Sequence, residues 1–348
     1  MTNALAVVGA GAAGCGVAYA LRDTAFDVTI FEKSRGVGGR ATTRRRNGCY
    51  YDHGANYLKP TDDRTETLLS TLGTDGLVDI EAPVWTHDKR GQIRRGDREE
   101  AHKWSYQTGL TQFAKRVLRQ TDATVEKGVE IARLEWTDDG DWAGWRLFDG
   151  ADTAVGRFDR VVLTPPAPQT AGILRRIQWI DSRRRELTEA IDAVPYRTIR
   201  SVMLHYPFKL DLPYYALVNV DRGHPIGWLS REECKPGHVP DGESLLVVQM
   251  SPEWSEEHAD LSTARAGRRV AQLASTLLDD SRVADPDWVD TQGWRYALPD
   301  APVDDATVRS AEDERLYFAG DWVVGEGRVH AAFWNGVAVG ERVTVAHE

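Results

Sequence analysis

The stretch LAVVGAGAAG, Leu5 to Gly14, constrains this chain more than any other. Four residues of buried-strand character run straight into glycines at 9, 11 and 14, and an apolar run continues to about Leu21. Read as strand, turn and helix, each glycine has a task. Gly9 permits the tight turn, Gly11 lets backbone approach a pyrophosphate, and Gly14 lets helix and strand pack closely, with Ala13 inside the same turn. The phosphates then sit at the helix N-terminus, where free N–H groups and the helix dipole favour anions. DVTIFEKS supplies the next strand, Asp27 to Phe31, and ends in Glu32, eighteen residues past Gly14. A carboxylate placed there accepts the two hydroxyls of a ribose. The pattern predicts a dinucleotide-binding α/β unit.

The glycines also argue against a leader peptide or a membrane span over the first 21 residues, since they interrupt the apolar run and no basic segment precedes it. No other stretch approaches spanning length, so the expectation is a soluble, cytoplasmic protein that engages no membrane. At 348 residues the chain is long enough for two domains, and its 41% hydrophobic content supports sizeable cores. A net charge of −10 speaks against wholesale nucleic-acid binding. Only eight of the 43 basic residues are lysine, a skew that fits a high-salt source and GC-rich coding equally. Cys15, Cys49 and Cys234 show neither metal-ligand spacing nor a disulfide framework. A reducing setting and no metal are expected.

Against that acidity, KSRGVGGRATTRRR (Lys33 to Arg46) concentrates arginine among glycines. Gly38-Gly39-Arg40, followed by Ala41 and Thr42, has the form of a second flavoprotein signature. Its glycines let the chain pass under a cofactor, and Arg40 can neutralise phosphate with a planar fork of donors. Of Arg44, Arg45 and Arg46, two are expected on a solvated strand edge. Near the other end, RLYFAGDWVVGEGRVHAAFWNG reads as a buried strand, Leu316 to Ala319, a turn at Gly320-Asp321, and a helix starting near Arg328. Asp321 suits a ribityl hydroxyl or a pyrophosphate-bound water. A helix N-terminus at Arg328 and Val329 suits the pyrimidine edge of a flavin, where negative charge develops on reduction. The three segments together predict FAD rather than NAD.

The combination resembles the renalase branch of the FAD-dependent amine-oxidase superfamily. YDHGANYLKP, FDRVVLTPPAPQTAGIL, CKPGH, SPEWSEEH, WRYALP and AGDW…GRVHAAFWNG recur in family order, covering Ala6 to about Glu341. The resemblance implies an FAD-binding Rossmann-type α/β domain with a second α+β substrate domain, as in p-hydroxybenzoate hydroxylase and the amine oxidases. It implies a discontinuous FAD domain, residues 1–75, 105–175 and 297–348, and a substrate domain, 76–104 and 176–296. It also implies non-covalent FAD contacts at Lys33, Asp52, Gly54, Ala55 and Asn56, and adenine held by backbone groups of Val129. The residues themselves support the division. GLTQFAKRVLR is amphipathic with Leu110, Phe113, Ala114 and Val117 on one face, and DRVVLTPPAP reads as a buried parallel strand. SVMLHYPF and SLLVVQMS suit a separate antiparallel sheet, and DSRRRELTEAIDAV an amphipathic connecting helix whose arginines form a solvated face.

No serine triad, cysteine–histidine pair or metal cluster is legible, which is compatible with hydride transfer to flavin. Tyr57, Trp254, Trp294 and Tyr296 are expected to line a pocket for a planar substrate. His330 stands at the helix start where an acidic residue is expected in many relatives. It is the one candidate catalytic side chain, with burial in the helix bundle as the equal alternative. Lys235 is the only late lysine, so no lysine beside flavin N5 can be placed. Three readings follow: an oxidase of dihydronicotinamide isomers of NAD(P) that returns electrons to O2 as H2O2, an oxidase of amines or another small reductant, and a flavin-bearing sensor or scaffold without turnover.

Overall fold

The computed structural model describes residues 3–60, 62–96, 101–179 and 183–345. The chain forms two compact units, one of Met1–Arg40, Phe113–Tyr196 and Leu298–Glu348, the other of Ala41–Gln112 and Arg197–Ala297. Relative to the expected boundaries, residues 41–75 and 105–112 lie in the second unit and 176–196 in the first.

The first unit is built on a five-stranded parallel sheet in the order Leu316–Phe318, Arg160–Leu163, Asn3–Val8, Phe26–Glu32 and Thr124–Lys127. Val8 lies opposite Leu163 on one side and Phe31 on the other, so the glycine turn leaves from the middle of the sheet. In sheets of this kind ligands bind outside the carboxyl ends of the strands, where the chain order reverses. An antiparallel sheet of Ile131–Asp138, Ala143–Asp149 and Ala154–Phe158 adds Leu134, Trp145 and Leu147 to the same core. The helix Arg183–Asp192 buries Leu187 and Ile191, while residues 181 and 182 of the expected helix lie outside the described residues. Its arginines are not all solvated. Arg185 is exposed, but Arg183 binds Glu314 at 2.9 Å and Arg184 donates to the Ile177 carbonyl, because the core beneath leaves carbonyls and a carboxylate within their reach.

Two helices define where the glycine turn sits. Ala12–Leu21 packs on Val329–Val345 backbone against backbone, with small residues at the crossing. A β-carbon on Gly16 would lie 2.2 Å from the Phe333 carbonyl oxygen, and one on Gly336 would lie 2.1 Å from that of Ala13.

The second unit has a seven-stranded sheet in the order Trp288–Pro299, Tyr196–Tyr206, Ser244–Met250, Ile226–Arg231, Ala216–Asn219, Val84–His87 and Ile93–Arg94. It is mixed rather than wholly antiparallel, since Val84–His87 runs parallel to Ala216–Asn219. The helix Thr263–Leu278, capped by Ser262, lays Ala266, Val270, Ala271 and Ala274 on Val202, Leu204, Leu246 and Val248. Among the described residues no helix is long and apolar enough to cross a membrane.

Gly336→Val should lower unfolding free energy by at least about 2 kcal/mol in a urea titration, because the clash is with backbone that cannot swing away. Gly172→Ala, where a β-carbon meets nothing within 4 Å, is the matched control and should raise it by up to about 1 kcal/mol.

Candidate functional site

In the first unit the sheet delivers the phosphate-loop residues to one place. Gly9 has φ +103°, and its N–H donates to the Phe31 carbonyl. A β-carbon on Gly14 would lie 2.0 Å from the Gly9 carbonyl oxygen, so close packing requires glycine there. Gly11, at the N-cap of Ala12–Leu21, is extended, and a β-carbon on it would meet nothing within 4 Å. No side chain among the described residues caps that helix, which leaves its first N–H groups for an anion. Gly39 lies alongside, its would-be β-carbon 3.3 Å from Gly11 Cα, and the Gly38 N–H donates to the Ala10 carbonyl. This is a backbone cradle that any side chain on Gly11 would fill, and it fits a pyrophosphate.

Glu32 is buried at the end of its strand. Its carboxylate accepts from the Ala10 N–H at 2.9 Å and the Ser34 N–H at 2.8 Å, so it braces the glycine turn. Lys33 beside it is exposed. The Val129 N–H, expected among the backbone groups at adenine, donates to the Glu32 carbonyl at 3.1 Å. Only its carbonyl remains to offer.

Arg40 and Asp321, 281 residues apart in sequence, pair at 2.8 Å. Burial works against charge on Arg40, but Asp321 more than offsets it and holds the guanidinium above its ordinary pKa. Part of the fork expected on phosphate is therefore turned to Asp321, which is itself almost wholly buried. The Gly320 N–H is held by Asn335 at 2.8 Å. The last helix starts at Val329, with Arg328 exposed just before it. His330, in its first turn, is buried with Nε2 3.6 Å from a Glu326 carboxylate oxygen.

In the second unit the segment His53–Tyr57 is tied to three strands of the large sheet. Trp294 Nε1 donates to the His53 carbonyl at 2.9 Å, Gln249 Nε2 to the Gly54 carbonyl at 2.6 Å, and Ser230 Oγ to Asn56 Oδ1 at 3.2 Å. Ala55 is half-buried between them. Trp294 also stacks on His53, centroids 5.4 Å apart and planes 10° from parallel. Tyr57 packs against Tyr215 and Trp228, and Tyr296 is half-buried on the strand that carries Trp294. Trp254 departs from the expectation. It lies in the core with Val270 and Leu246 and stacks on His258 at 4.4 Å, because the helix Pro252–Glu257 turns its indole inward.

Asp52, expected near the cofactor, is fully buried and saturated within the second unit. It accepts from Thr43 Oγ1 (2.6 Å), Ser105 Oγ (3.2 Å), the Leu110 N–H (2.9 Å) and Lys235 Nζ (2.9 Å). Lys235 also reaches Glu232 at 2.9 Å, and His238 contacts Glu232 and the Tyr106 carbonyl, each at 2.9 Å. Burial alone would raise the pKa of Asp52, yet Lys235 and the Thr43 hydroxyl hold it below the usual carboxylate range. Burial would lower that of Lys235, yet Asp52 and Glu232 hold it above its ordinary value. Sequence reasoning missed this network. Its one signal was the pair of acids and the lysine in REECKPGH, whose partner Asp52 is 183 residues away.

The sequence matches two family descriptions, an NAD(P)-binding Rossmann-like domain over residues 7–72 and flavin containing amine oxidoreductase over 78–344. Protoporphyrinogen oxidase 2 of Arabidopsis thaliana is 39% identical over 69 residues, 20% of this chain and 14% of that protein. A protein of Mycobacterium tuberculosis named as a flavin-containing monoamine oxidase, AofH, is 30% identical over 179 residues, 50% of this chain and 36% of that one. The matched stretches thus span about a third or less of these curated relatives. A crystal structure of a protein assigned as a protoporphyrinogen oxidase from Exiguobacterium superposes with a TM-score of 0.80 over 99% of both chains at 14% identity, a likeness of fold.

Gly11→Val should fold normally, since its backbone is extended and its surroundings open, yet purify without flavin. Normal FAD content would place the phosphates elsewhere. Lys235→Met leaves two carboxylates buried together and should destabilise the protein by about 3–5 kcal/mol, read by thermal or urea unfolding.

Proposed function

Because the chain belongs to the flavin containing amine oxidoreductase family and has FAD as its cofactor, we propose that it is an oxidase of dihydronicotinamide isomers of NAD(P), with FAD held non-covalently. FAD, when bound, accepts a hydride and passes the electrons to O2, giving H2O2.

The observation that carries this reading is the state of the ionisable groups around His53–Tyr57. His53 is pushed down to about 4 by burial and by Arg44, so its ring is neutral across ordinary pH. Asp52, Glu232, Lys235 and His238 are engaged with one another in full burial. Lys235 in particular is locked as an ammonium and offers no base. What this region presents is aromatic surface and backbone carbonyls in fixed positions. That suits a flat ring which is already a hydride donor and needs orientation rather than deprotonation. In the first unit Glu32 and the cradle of Gly11 hold the ribose and pyrophosphate, and Arg40 with Asp321 supplies a fixed, charged pair beside them.

Oxidation of an amine is the second reading, and the family supports it. An ammonium must lose a proton before it can give up hydride, so the two readings separate by pH. Anaerobic mixing with a dihydronicotinamide isomer should bleach the flavin rapidly, at a rate nearly flat from about pH 6 to 9, with colour returning in air. Fast bleaching by a simple amine, on a limb rising toward that amine's own pKa, would establish the amine oxidase instead. A flavin bleached by neither would make the protein a sensor or scaffold. Trp294→Phe keeps a ring against His53 but removes the indole donor. It should slow reduction roughly tenfold with FAD content unchanged, the scale of one lost aromatic or hydrogen-bond contact.

A further inference from the structure

In the second unit Cys49, His205 and Glu243 bring three different donors together. The Cys49 sulfur, a ring nitrogen of His205 and a Glu243 carboxylate oxygen all lie within 4.8 Å of one another. They come from separate places in the second unit. Cys49 opens the strand Cys49–Asp52, His205 lies on Tyr196–Tyr206, and Glu243 immediately precedes Ser244–Met250. With ligands at 49, 205 and 243, no local spacing announces them, which is why the cysteines carry no metal signature in sequence.

His205 is held as a metal-binding histidine is held. It is 4% exposed and its ring lies flat on Trp288, centroids 4.9 Å apart and planes 7° from parallel. Nε2 is 2.8 Å from Glu243 Oε2. On the opposite edge Nδ1 is buried without a hydrogen bond, 3.3 Å from an Asp287 carboxylate oxygen. The Asp287 charge beside Nδ1 favours a proton on that nitrogen, which leaves Nε2 to coordinate once a metal takes the place of its contact with Glu243. Glu243 is one-third exposed and gives solvent a way in, whereas Cys49 is sealed in the core beside Tyr51, Met203 and Trp288.

We propose that Cys49, His205 and Glu243 form a binding site for a thiophilic divalent cation of the Zn2+ type, with Asp287 orienting His205 from behind. Sulfur, imidazole and carboxylate are a zinc-like donor set, while Ca2+ and Mg2+ take oxygen. Ligand atoms around tetrahedral zinc stand about 3.5 Å apart, so side-chain adjustments of about 1 Å close the site. Three protein ligands leave a fourth position for water. The thiol proton leaves to solvent as the sulfur–metal bond forms, and nothing is oxidised or reduced. Among the described residues a second cluster of this kind, Asp52, Glu232 and His238, already holds the Lys235 ammonium between its oxygens, which leaves no room there for a metal.

The FAD-loaded protein, dialysed against chelator, would be titrated with Co2+ and then Zn2+, and difference spectra recorded against the same sample before metal. One equivalent of Co2+ should produce a thiolate-to-cobalt charge-transfer band in the near ultraviolet, and Zn2+ should abolish it. Cys49→Ser should lose the band while keeping its flavin spectrum. Glu243→Gln, at a partly exposed position that tolerates the change, should bind at least tenfold more weakly. Asp287→Asn should weaken binding by about 10–100-fold. Absence of the band in the parent protein, its persistence in Cys49→Ser, or unchanged affinity in Glu243→Gln would each overturn the proposal.

Discussion

The second unit depends on an ammonium group with no access to water. Lys235 sits between Asp52 and Glu232, all three fully buried. Taking these charges out of solvent is expensive, and the arrangement persists only because each is paired and hydrogen-bonded on nearly every side. That requirement radiates outward. Asp52 must also be met by Thr43, Ser105 and the Leu110 N–H, which gathers three stretches of chain around one carboxylate. The Asp52 N–H in turn donates to Glu232. The chain therefore leaves Asp52 at a fixed point, and His53–Tyr57 starts from there.

The same constraint settles what Lys235 does. A lysine that acts near a flavin must hold a mobile proton or a water, whereas one gripped by two carboxylates gives up its proton only at a pH where the protein has other troubles. On the proposed reading the work of this region falls to rings and backbone groups, which orient a substrate and exclude water. Arg40 with Asp321 is the counterpart in the first unit, a pair whose charges offset each other, the arginine in the turn Gly39–Ala41 and the aspartate at the start of the helix Asp321–Val324.

The glycine turn was legible because its own pattern is local: strand, turn and helix follow within some twenty residues, and glycine is the only residue that meets the contacts at 9 and 14. The parallel strands were legible from their apolar runs for the same reason. Asp52 was misplaced because a carboxylate next to a glycine-rich segment looks identical whether it faces a ligand or a lysine far along the chain. Trp254 was misplaced because an aromatic in a distinctive segment carries no mark of which way its helix turns. The parallel pairing of Val84–His87 with Ala216–Asn219 was equally silent, since it joins strands far apart in sequence whose composition suits either direction. The boundary at 41 moved because residues 43–52 are held in the second unit by distant partners such as Lys235 on Asp52, which no local pattern announces.

The backbone contact of Gly16 with Phe333 and of Ala13 with Gly336 bears on how the protein is made. The phosphate-loop helix is synthesised some three hundred residues ahead of its packing partner and of the edge strand Leu316–Phe318. Until then the loop lacks the support that fixes it, and long-range contacts of this kind are slow to form. Between the two, the nascent chain carries a cofactor motif complete in sequence and unfinished in structure. Capture of FAD then waits on a helix made some three hundred residues after the loop it steadies.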